Sequence, residues 1–238
     1  MNIRSNSIII LLGILLASLL ESCSADFRKN QSDFIEKDYD VQHFDKIIFE
    51  GGYNVKLTQG NTSSLVMNTS EQLHKKVKIW VDNDILHVKT KVSNLGTDEI
   101  KLLITVKDLN DIKIEGGVFL TTIGVLELKD LNIEVEGGAH INMKIKTEDL
   151  RARASGGVNM DFEGTADHFS AITEGAGNID ADHLEAKNVN CRVSGVGNAS
   201  VFATERLDAT VEGLGKISYR GDPVINKQVN GIGLVYKK

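Results

Sequence analysis

The chain has 238 residues, a formal net charge of −6, 22 glycines, one proline and 5% aromatic residues. A mildly acidic chain with no basic cluster argues against nucleic acid as a partner. Two cysteines do not suggest a disulfide framework, and the scarcity of aromatics implies a narrow core of small aliphatic side chains.

Residues 1–22 read as a processing segment. Arg4 supplies a positive start, and Ile8 to Leu20 is an apolar run of 13 residues. That is too short for a membrane span, which needs about 20. Leu20-Glu21-Ser22-Cys23 resembles the lipobox of bacterial lipoproteins, although Glu21 replaces the usual small residue. The resemblance implies a lipidated Cys23 (a palmitate-type anchor), a membrane partner and residence in the cell envelope at the outer membrane. The plainer alternative is a secretory signal with an incidental cysteine. Residues 23–40 hold the anchor and a polar, aperiodic stretch, read as a flexible tether.

The folded domain is expected over 41–238. Asp45 to Leu57 carries Glu50-Gly51-Gly52-x-Asn54-Val55. Strand-like runs follow at Leu65–Met67, Val77–Val81, Ile85–Val88 and Ile100–Val106. Asp82-Asn83-Asp84 is a turn signal between two of them. These runs read either as further coils or as a capping sheet. A solenoid needs a cap, because an open end exposes unpaired strand edges.

From Leu131 to Lys238 one pattern is written six times, with a degenerate copy before it at Glu115. The residue before the first corner glycine falls at 115, 136, 155, 174, 194, 212 and 230, so each copy takes 18–21 residues. A period of this size marks a solenoid. Ahead of each corner, apolar residues alternate with polar ones, as at Leu131, Ile133 and Val135 or Val189, Cys191 and Val193. Period two means a half-buried strand. The glycine reaches positive φ at little cost and predicts a sharp corner. A second short strand follows, with pairs such as Ile141 and Met143 pointing inward. About 20 residues is too short for a βαβ unit, which needs about 30. Stacking each copy on the last gives an all-β, single-stranded parallel β-helix. Asn54, Asn159, Asn178 and Asn198 share one offset, which predicts an amide ladder of structural character. Cys191 shares the inward column of Ala171 and Ala209 and reads as a small buried hydrophobe.

Chemistry is hard to find. The Gly-x-Gly corners lack the third glycine and the helix of a dinucleotide loop. No pair among the six histidines has zinc spacing, so neither a metal nor a cofactor is expected. Asp161 and Asp180 share a column and are the candidate ligand residues, for instance for one Ca²⁺. Outward polar residues on a solvated face are the plain reading. With Glu163 and Asp182 these residues are also the one acid cluster suited to acid/base work. No aromatic platform announces a sugar site.

The lipobox, the Phe44–Ile47 opening, the Glu-Gly-Gly-x-Asn-Val copy at 50–55 and the run of glycine corners together resemble the GIN-domain family. These are adhesin head domains, common as lipoproteins in Bacteroides-like bacteria. The resemblance covers about Tyr39 to Lys238. It implies a right-handed β-helix, an envelope location and no catalytic residues. The expected function is a non-catalytic, adhesin-like module presenting a repetitive face to a glycan or host-surface ligand. The competing readings are a polysaccharide-active β-helix enzyme and a periplasm-facing envelope scaffold.

Overall fold

The computed structural model describes residues 34–91 and 99–238, which belong to one compact unit. The processing segment, Cys23 and most of the tether lie outside the described residues.

The unit is a parallel β-solenoid. Its central strands are β2 (Lys46–Gln59), β7 (Asp111–Ile123), β9 (Asp130–Ala154), β10 (Gly157–Thr173), β11 (Ala176–Val193) and β12 (Val196–Val211). They stack in that order, every neighbour parallel. The short β8 (Leu126–Glu127) pairs with β9 on the third side of a coil. Each coil has a first arm, a glycine corner, a second arm and a third side. The sequence repeat sets the register, with Glu50 opposite Glu115 and Glu115 opposite Glu136.

Inward columns make the core. Leu131, Leu150, Phe169, Val189 and Leu207 are all buried, as are Ile133, Ala152, Ala171, Cys191 and Ala209. The second arms add Ile141, Met143, Met160 and Phe162. Alanine recurs because facing arms leave little room between them. Where two rings do fit, Phe162 and Phe169 meet edge to face at 5.9 Å.

The glycines serve two different ends. Gly51, Gly116 and Gly137 have φ of +127°, +143° and +140°, as a sharp corner requires. Gly156, Gly175, Gly195, Gly213 and Gly231 lie outside that region. Their constraint is the coil below. A Cβ on Gly156 would sit 1.8 Å from the Gly137 carbonyl oxygen, and one on Gly195 1.9 Å from that of Gly175. Expecting positive φ throughout is therefore corrected: later corners need glycine because backbones nearly touch.

The insert is both coil and cap. β5 (Ile85–Thr90) and β6 (Lys101–Val106) run parallel to the two arms of β2 and complete a coil beneath it. β4 (Val77–Asp82) is antiparallel to β5, and β3 (Ser64–Ser70) is antiparallel to β6. Asn83 and Asp84, both at positive φ, close the β4–β5 hairpin where the turn signal placed it.

β1 (Phe34–Tyr39) adds to β3, within the stretch read from the sequence as a tether. Only Ile35 and Tyr39 of this strand are even half-buried, so it has no hydrophobic period to read. Backbone pairing holds it, with Tyr39 Oη 3.0 Å from Nδ1 of the buried His74 in helix α1 (Glu71–His74).

The other end is plain. β13 (Leu214–Arg220) and β14 (Val224–Val229) form a coil on β12, and β15 (Ile232–Lys237) follows on β13. Lys227 occupies the inward column of Ala209, and Lys237 that of Tyr219. Lys237 and Lys238 fold back as ion pairs with Asp222 and Asp182. Inward-pointing charge on an edge strand opposes pairing with another chain.

Candidate functional site

The two arms turn different faces outward. The first-arm face is a lattice of ion pairs between neighbouring coils. Arg153 Nη2 donates to both carboxylate oxygens of Glu174 at 2.9 Å. Arg192 repeats the contact with Glu212 at 2.5 Å, and Lys113 lies 2.7 Å from Glu115 and 3.9 Å from Glu136. Pairs this exposed add little to stability, because solvent screens them. They leave the face mixed in sign and internally satisfied.

The second-arm face carries the ladder. Register places Asn54, Phe119, His140, Asn159, Asn178 and Asn198 in one column. The expected amide ladder is thus interrupted by two rings, so Asn54 is not its neighbour. Phe119 and His140 stack at 4.5 Å and 13°. Asn159 Nδ2 lies 3.2 Å from His140 Nδ1, and Asn198 Nδ2 donates to Asn178 Oδ1 at 3.1 Å. A shallow groove of about 580 Å³ runs along the upper rungs, between this column and the glycine corner. None of its lining residues has a carboxylate, ammonium or guanidinium group.

The adjacent column runs Asn142, Asp161, Asp180, Ser200 and Ser218. Asp161 and Asp180 are brought together on neighbouring coils. Partial burial raises the Asp161 carboxyl above its usual range, and the charges of Asp180 and Glu163 add to the rise. The other two acids of the cluster are engaged elsewhere. Glu163 is held low by Lys144, 2.8 Å away, and Asp182 pairs with Lys238. Among the described residues no three His, Cys, Asp or Glu side chains converge on a possible metal position.

Two further features escaped the sequence. Trp80 and His87, opposite each other on the hairpin, stack at 4.6 Å and 3°. Phe119, 48% exposed, joins His140 from a coil 21 residues away. Single aromatics spaced along a sequence give no hint of stacking until the register is known. A second groove, about 650 Å³, follows the third side of the coils and mixes lysines with acids, including Lys187 paired to Asp167 at 2.6 Å.

A repetitive coil with regular outer columns defines a parallel β-solenoid. Sequence comparison gives its family. Residues 43–223 match the family described as "Putative auto-transporter adhesin, head GIN domain", and the chain belongs to it. A solved structure titled a putative adhesin from Bacteroides fragilis is 27% identical, with a TM-score of 0.81 over 87% of this chain and 98% of its own. A protein from Parabacteroides distasonis titled a putative lipid binding protein is 22% identical over the same shares, with a TM-score of 0.66, and shows the same fold. A putative adhesin from Parabacteroides merdae is also 22% identical, with a TM-score of 0.66 over 87% of this chain and 97% of its own. No functionally curated protein matches the chain.

Proposed function

We propose that this protein is a non-catalytic binding module of the bacterial cell envelope, held at the outer membrane by a lipid on Cys23. The observation that carries the binding role is the second-arm face: a column of rings and amides from Asn54 to Asn198, ended by Lys101 and Lys216 and repeated at coil spacing, beside a groove lined by uncharged residues. Membership of an adhesin-head family supports it, and the lipobox-like Leu20–Cys23 supports the anchor.

Two measurements test the reading. Cells fed an alkyne-palmitate should label the wild-type chain and not Cys23→Ala; equal labelling would remove the anchor. Beads coated with the protein should adhere to mucin or epithelial matrix, and protease should remove the protein from intact cells while a periplasmic control survives. Protection on intact cells with digestion after permeabilisation would instead support the periplasm-facing scaffold.

The raised carboxyl of Asp161 beside Asp180 favours one second reading, a polysaccharide-cleaving site, since a general acid needs such a shift. It requires cleavage by the wild type that Asp161→Asn abolishes. No cleavage of soluble polysaccharides would end it.

A further inference from the structure

The groove on the second-arm face has two unlike walls. One is the rung column, where Asn159, Asn178 and Asn198 stand on successive coils. A side-chain amide has two N–H donors and a carbonyl with two lone pairs. The bond between Asn178 and Asn198 uses one donor and one lone pair, so each of these rungs keeps both a donor and an acceptor for a ligand. The opposite wall is the glycine corner, which turns apolar toward the C-terminal end. Ala176, Val196 and Leu214 share a column there, and Val196 and Leu214 are 57% and 52% exposed. Beyond the rungs lie Asp161, Asp180 and Ser200, with the Ser200 hydroxyl 2.8 Å from that of Ser218.

Building on the binding role proposed above, we infer that this groove takes an extended, neutral glycan laid along the solenoid axis. The chemistry selects the class. A pyranose ring has an apolar C–H face and an edge of hydroxyls, each both donor and acceptor. The two walls offer the same division, with the apolar corner for the face and the amides for the edge. Vicinal hydroxyls match a side-chain amide or carboxylate two bonds at a time. Successive coils are about 4.8 Å apart, close to the step between sugars in an extended chain, so each residue of the glycan meets an equivalent rung. An extended peptide fits less well. Peptides dock on free strand edges or send side chains into pockets, and this is the face of fully paired strands. Lys216 ends the track one coil beyond Asn198, but Asp161 and Asp180 beside the rungs and the chain's charge of −6 disfavour polyanions.

The test is affinity electrophoresis of the full chain in native gels containing hydroxyethylcellulose, galactomannan, xylan or dextran, with alginate and chondroitin sulfate as polyanions. At least one neutral polymer should retard the wild type, and neither polyanion should. Asn178→Ala and, one coil away, Val196→Ser should each weaken retardation about tenfold, with thermal melts confirming that both variants fold. Arg153→Ala, on the first-arm face, should leave it unchanged. No retardation by any neutral polymer, retardation by polyanions alone, or retardation that survives both groove variants would overturn the inference. Bead adhesion separates this failure from that of the binding role. Adhesion that survives periodate oxidation of the target's glycans keeps the module and removes the glycan, whereas absence of adhesion to any surface removes both.

Discussion

Two adjacent glycines should respond oppositely to the same substitution. In Gly156→Ala the new Cβ would lie 1.8 Å from the Gly137 carbonyl oxygen, against the 3.4 Å at which ordinary contact begins. That oxygen belongs to the backbone of the coil below, so it cannot swing aside as a side-chain tip would. Relief requires the two coils to part at the corner, loosening the packing on either side. Overpacking of this kind costs about 3 kcal/mol, which for a domain of this size lowers the melting temperature by roughly 6–12 °C. At Gly157 a Cβ meets nothing within 4 Å, and φ is not positive. Gly157→Ala should stabilise by about 0.4–1 kcal/mol, by restricting the unfolded chain. Thermal melts followed by far-UV circular dichroism compare the two variants. Midpoint shifts are the quantity to use, because stacked repeats can unfold in stages. Equal destabilisation by both substitutions, or a wild-type melt for Gly156→Ala, would refute the account of the corner.

Three further outcomes are expected. Thr173 is buried between Ala154 and Val193, and among the described residues its hydroxyl has no hydrogen-bond partner. Thr173→Val should therefore stabilise by about 1 kcal/mol in urea denaturation. Burial pushes the Cys191 thiol up to about 12 from an ordinary 9.0. The folded chain thus holds a proton that the unfolded chain releases. Stability should be full below pH 9 and fall as pH rises toward 12, by up to roughly 1.4 kcal/mol per unit, with a shallower fall in Cys191→Ala. Replacing both inward lysines of the last coil, Lys227→Val with Lys237→Val, should expose an apolar edge. Sedimentation velocity should then show concentration-dependent association stronger than in the wild type.

Much of the coil was legible because one physical rule repeats in it. Alternation fixed which residues of Leu131–Val135 face inward, and the corner glycines fixed the register that places Glu115 beside Glu136. Other features were hidden for identifiable reasons. β1 is held by backbone pairing, which leaves no trace in hydropathy. The crowding at Gly156 is a contact between coils, whereas local sequence speaks only to φ. The ring pair of Phe119 and His140 joins different copies at an offset where four other copies have asparagine, so it departs from the repeat that makes the column legible. The Asp161–Asp180 column was visible because both residues keep their offset, but the lysines that engage Glu163 and Asp182 come from other coils, at no offset the repeat marks.

The coils differ in length, and the surplus is confined to one place. Register slips between Asp161 and Glu163 against β11, and again between Ala181 and Asn188 against β12, always after the second arm and before the next first arm. Both arms and the corner stay in step throughout. The third side is thus a splice point, where a coil can gain or lose residues without shifting the rungs above and below it. Variation can accumulate there, or a loop be grafted, while the spacing of the outer columns is preserved.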